Sequence, residues 1–132
     1  MNPSHSSKRR GAVAIEFALT IPILFLMLMG ALELGHANMV LNTTEAACYE
    51  GARVGIVPGT TAAECVAATQ RLLDVSKIKD ATISITPADL TTRTEAVTIR
   101  VVVPYRTNAI TVPLFTRSLT IQRECKLTRE TD

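Results

Sequence analysis

Glu16 is the residue whose chemistry most needs an explanation. From Ala12 to Leu32 it is the one ionisable side chain in an otherwise apolar run. A carboxylate near the end of such a run costs up to about 2.5–3.5 kcal/mol on insertion scales and is retained mainly where it has a partner. One reading has Glu16, four residues beyond Ala12, snorkel to the headgroups or bond Arg9 or Arg10. Three thiols come next, Cys48, Cys65 and Cys125. An odd count fits one disulfide and one free thiol, with Cys65 to Cys125 the preferred pair because it would tie a second helix to the last strand; three small buried hydrophobes without a bridge is the other reading. Close ligand spacing and a nearby histidine are both lacking for a zinc site.

Catalysis finds no support in the remaining residues. His5 lies in a basic leader and His36 beside the apolar run, while Asp89, Glu95 and Glu124 are scattered and read as solvated charges. Without a nucleophile and base, converging carboxylates, a metal set or a phosphate loop, the chain reads as a non-enzyme with no cofactor. The formal charge of +2 belongs to the leader. Taking Lys8, Arg9 and Arg10 from the 14 basic residues leaves 11 against 12 acidic ones, a balance of −1. With no tryptophan and few aromatics, neither phosphate clamping nor base stacking is provided, so nucleic acid is not an expected partner.

The element that positions Glu16 is the apolar run itself. At about 1.5 Å of helical rise per residue, Ala12 to Leu32 covers roughly 32 Å, the thickness of a bilayer's hydrocarbon core. Lys8, Arg9 and Arg10 precede it with no acid upstream, which by the positive-inside bias keeps the first eleven residues cytoplasmic and sends the rest outward. A single-pass protein of the inner (cytoplasmic) membrane, N-in and C-out, is expected. Pro22 inside the run implies a local kink. Glu33, just past the run, is expected at the outer headgroups, and His36 on the stem surface.

Gly11, four residues and then Glu16-Phe17, behind a basic leader and ahead of an apolar helix, resembles the type IV prepilins. The resemblance implies that a prepilin peptidase cuts after Gly11, that Ala12 becomes the new N-terminus, and that Glu16 with Phe17 serves assembly with other pilin-like subunits and inner-membrane pilus assembly proteins. A freed ammonium on Ala12 and the Glu16 carboxylate of a neighbouring subunit are opposite charges in low dielectric, where pairing matters most. Within that superfamily Arg10-Gly11-Ala12-Val13-Ala14-Ile15-Glu16-Phe17-Ala18-Leu19, followed by Ile21-Pro22-Ile23-Leu24, is similar to TadE-like pseudopilins of tight-adherence (Flp pilus) systems. Ala46-Ala47-Cys48-Tyr49-Glu50-Gly51-Ala52-Arg53 is similar to the pattern that closes the family's first helix, from which Cys48-Tyr49 departs.

Periodicity sets out the rest. Leu34, Ala37, Leu41, Thr44, Cys48 and Ala52 recur at helical spacing opposite Asn38, Asn42, Glu45 and Arg53, so the helix continues beyond the membrane as an amphipathic stem and ends at Val57-Pro58-Gly59. Thr61-Ala62-Ala63-Glu64 is a capping box that opens a second helix, to about Asp74, with Ala62, Cys65, Val66, Thr69, Leu72 and Leu73 as its apolar stripe. Strands of period two follow from Ala81 to Thr86, from Val97 to Val103 and from Leu119 to Leu127, with Arg123 breaking the inner face of the last. Ile110, Val112, Leu114 and Phe115 make the intervening segment too apolar for a free loop, so it covers the core or forms a contact surface. The rest, beyond the last strand, is a short charged tail.

The fold class expected is α+β and pilin-like: a long N-terminal transmembrane and stem helix, a second short helix and a three-stranded antiparallel sheet. Residues 1–11 form the leader, disordered over residues 1–10; 12–57 the helix; 58–132 a small extracytoplasmic head. The function that follows is a minor pilin-like subunit. Its rival is a secreted binding domain cut near Gly35-His36-Ala37, or an uncleaved single-pass anchor.

Overall fold

A single helix of 52 residues sets the length of the molecule. In the computed structural model, which describes residues 4–91, 94–110 and 112–129 and the side chains of residue 11 onward within them, α1 runs from Ser4 to Gly55 and continues unbroken through Pro22. The leader expected to be disordered is thus helical from Ser4 to Arg10. No proline or glycine separates Ser4 from Gly11, and the lysine and arginines there are good helix formers. From Gly11 to Leu28 every side chain is exposed, and large apolar groups such as Phe17, Leu19 and Met27 stand out from the helix at 65–69% of their full area. So large an apolar surface requires lipid or other helices around it.

Beyond the run, α1 buries one stripe. Ala37, Val40, Thr44, Ala47, Cys48 and Ala52 are buried, Leu41 is half-buried, and Asn38, Asn42, Glu45 and Arg53 face outward. The stripe is built of small residues because two other layers approach it. A Cβ on Gly51 would overlap the Thr69 hydroxyl and lie 2.7 Å from Ile99 Cδ1, and one on Gly55 would lie 2.8 Å from Val97 Cγ1. Glycine at these positions permits the approach. After Gly55 a turn carries the chain through Pro58 to Gly59, whose φ of +85° suits a residue without Cβ.

Helix α2, Ala62–Val75, begins on the expected capping box: the Thr61 hydroxyl accepts from the Glu64 N–H at 3.3 Å, and the Glu64 carboxylate accepts from the Thr61 N–H at 2.8 Å. It lies against α1 through buried Cys65, Thr69 and Leu73. Val66 is exposed rather than buried, so the stripe is narrower than its apolar residues suggested. The buried hydroxyls of Thr44 and Thr69 donate to the carbonyls of Val40 and Cys65 one turn back, leaving neither unsatisfied.

Strands β1, Thr82–Thr86, and β2, Ala96–Pro104, then a single turn α3, Tyr105–Asn108, and β3, Thr120–Thr128, complete the head. The sheet is an antiparallel meander in the order β1-β2-β3, with Ile85 opposite Ile99 and Ile99 opposite Cys125. Val97, Ile99, Val101 and Val103 alternate on the inner face of the central strand and are fully buried under α1 and α2. The expected α+β architecture is therefore what the chain forms. Arg123 does interrupt the inner face of β3, and its guanidinium turns to Glu45 of the stem at 3.4 Å, an ion pair whose Nε is not aligned for a hydrogen bond.

Candidate functional site

Two places on α1 carry the candidate side chains. The first is the start of the apolar run. Gly11, Ala12, Glu16 and Phe17 are all exposed on the helix, and a Cβ on Gly11 would meet nothing within 4 Å. A glycine inside a helix costs about 1 kcal/mol relative to alanine. Neither packing nor backbone geometry at Gly11 calls for that cost. Glu16 offers its carbonyl to the Thr20 hydroxyl at 2.8 Å, while its carboxylate has no hydrogen-bond or ion-pair partner among the described residues. Arg9 and Arg10, candidates for a local pair, have side chains outside the described residues.

The second place is at the outer end of the run, and there the sequence reading of two residues is corrected. Glu33 does not face headgroups: it is 6% exposed. Its carboxylate accepts from the backbone N–H of Leu114 at 3.1 Å, of Phe115 at 3.1 Å and of Thr116 at 2.7 Å, and from the Thr116 hydroxyl. That hydroxyl, with the three amides assisting against partial burial, holds the carboxyl below its ordinary value. His36 is not plain stem surface either. The Tyr105 hydroxyl donates to the Glu33 carbonyl at 3.0 Å, and its oxygen lies 3.2 Å from His36 Nδ1, which with the Tyr105 proton so engaged is assigned as the donor. Burial, then the nearby Glu33 charge, push the Tyr105 hydroxyl up.

This junction joins the stem to the segment between α3 and β3. Nothing local in the sequence announced it, because the paired residues lie 69 to 83 positions apart. The segment's large apolar side chains do not lie over the core: Ile110, Val112, Leu114 and Phe115 are all exposed.

All three cysteines are free thiols. The pair expected between Cys65 and Cys125 is not formed, since Cys65 lies beneath Gly55 and bonds the Thr61 carbonyl. The thiol next to Cys125 is that of Cys48, which also donates to the Ile99 carbonyl at 3.0 Å. Burial first, then the Cys125 thiol, push Cys48 up to about 12. Cys48, where the sequence departs from the family pattern, thus serves as a small buried hydrophobe between helix and sheet.

Arg129, in the charged tail, has a defined place. Its guanidinium donates to the carbonyls of Gly55, Ile56 and Val57 at the end of α1, at 3.1, 2.9 and 3.1 Å, and to Thr91 at 3.1 Å. The last carbonyls of a helix lack intrahelical partners and carry partial negative charge, which a guanidinium answers.

No curated protein and no solved structure matches the chain. Residues 11–53 match the family model described as TadE-like protein. That stretch, about a third of the chain, opens on Gly11, holds Glu16 and the apolar run, and closes on the small-residue stripe that Gly51 and Ala52 complete; over this helix the chain is similar to the TadE-like proteins.

Proposed function

We propose that this protein is a minor pilin-like subunit of a tight-adherence pilus or secretion apparatus, cut after Gly11 by a prepilin peptidase and assembled through its N-terminal helix. It sits in the inner membrane through residues 12–32, N-in and C-out, until it joins other pilin-like subunits and membrane assembly proteins. The observation that carries the reading is the pairing of an unneeded glycine with an unpartnered acid: Gly11 has no packing role, and five positions on, Glu16 projects its carboxylate from a fully exposed apolar helix. Cutting after Gly11 makes the first a recognition element and gives the second a cation, the Ala12 ammonium of a neighbouring subunit.

The secreted alternative fits the junction poorly. A cut after Ala37 removes Glu33 and His36, leaving three backbone amides and the Tyr105 hydroxyl without their partners, and it opens the core at Ala37 itself. Co-purification of partner subunits tests the assembly role. Glu16→Ala should insert into the membrane normally and lose its partners; a variant that still recovers them in full removes the role assigned to Glu16.

A further inference from the structure

We propose that residues 112–115 form a membrane-inserting loop, seated in the outer leaflet of the same bilayer that the apolar run of α1 crosses. The inference rests on that run lying in a bilayer, and its continuity with the run is the first argument. The Phe115 ring packs on α1 at Gly30, 3.3 Å from where a Cβ would stand, and Gly30 lies inside the apolar run. Ile23, Leu26, Met27, Ala31 and Leu34 form one apolar surface with that ring. At about 1.5 Å per residue Gly30 is roughly 3 Å short of Leu32, so Phe115 lies below the outer edge of the hydrocarbon.

Backbone chemistry is the second argument. An unsatisfied backbone N–H at membrane depth is costly, so irregular chain there must be held against protein. The amides of Leu114, Phe115 and Thr116 all donate to the Glu33 carboxylate, and Pro113 has no N–H to satisfy. Glu33 therefore satisfies the donors of the stretch that lies beside Gly30. Charge is the third. From Thr107 to Thr116 there is no ionisable residue, while exposed Arg106 and Arg117 flank the segment, at the level where guanidinium groups meet lipid phosphates. Val112, at 83% exposed, is left with no protein cover.

The chain has no tryptophan, so single-tryptophan variants report one position each. Phe115→Trp, Val112→Trp and, within the run, Phe25→Trp would be placed in the full chain and reconstituted into phosphatidylethanolamine and phosphatidylglycerol vesicles with brominated acyl chains. The expected result is that all three are quenched by bromine, emit to the blue of an exposed indole and resist acrylamide. Quenching of Phe25→Trp by bromine, with the two loop tryptophans quenched by acrylamide alone, puts the loop in water and overturns the inference while leaving the span in place. Loop tryptophans shielded from both quenchers point to a second copy as the cover and overturn it equally. If Phe25→Trp is not quenched by bromine, the spanning reading falls and this inference with it.

Discussion

Glu33 and Thr116, 83 residues apart, are joined twice: one carboxylate oxygen of Glu33 accepts from both the backbone N–H and the side-chain hydroxyl of Thr116. The tie fixes the apolar segment before β3 to α1 within a turn of the apolar run. Because it is made to the ionised carboxylate, it is present above the ordinary carboxyl range and is lost as pH falls through the lowered value of Glu33. Amide exchange in detergent micelles, corrected for intrinsic rates, should show Leu114, Phe115 and Thr116 protected at pH 6 and released in Glu33→Ala. Unchanged protection in that variant would show that something else holds the segment.

At Gly51 the two helices and the sheet meet closely. Gly51→Ala sets a methyl against the Thr69 hydroxyl and Ile99, and overpacking of this kind costs about 1–3 kcal/mol. Thermal unfolding of the head should move down accordingly. Adding Thr69→Ala removes the nearer obstacle and should recover part of the loss, a coupling expected only for residues in contact. Additive losses would contradict the packing described.

Arg129 closes α1 from the far end of the chain. Arg129→Ala leaves carbonyls of Gly55, Ile56 and Val57 without their donor. Discounted for water at the exposed positions, a loss of about 1–2 kcal/mol is expected, read as a lower denaturant midpoint at unchanged slope. Lysine at the same position keeps the charge without the planar fork and should restore less than half. Full restoration by lysine would mean that charge alone matters.

Thiol reactivity separates the three cysteines. With Cys48 pushed up to about 12 and both Cys48 and Cys65 buried, iodoacetamide at pH 8 should modify Cys125 first, and all three only after denaturation. Alkylation of native Cys48 at the pace of a free thiol would show that helix and sheet part readily.

What could be read from the residues in order was what local spacing encodes. The Thr61 and Glu64 capping box is complete within four residues, and the alternation from Val97 to Val103 needs only the period of a strand. The roles of Glu33, His36 and Arg129 were not legible for one physical reason: their partners at the junction and at the end of α1 lie 69 or more positions away, and nothing beside them in the chain differs from an ordinary surface residue. Val66 was misplaced because an apolar residue at the edge of a helical stripe is indistinguishable by period from one at its centre. Gly11 and Glu16 were legible as an anomaly, a glycine and an acid where an apolar helix has no use for either.

The central claim is most directly tested by the N-terminal sequence and intact mass of the protein isolated from the membranes of its own host. The account predicts a chain that begins at Ala12 and, in Gly11→Val, one that keeps residues 1–11. A mature chain beginning at Asn38, or one that retains Met1 or Asn2 in the unaltered protein, would contradict it.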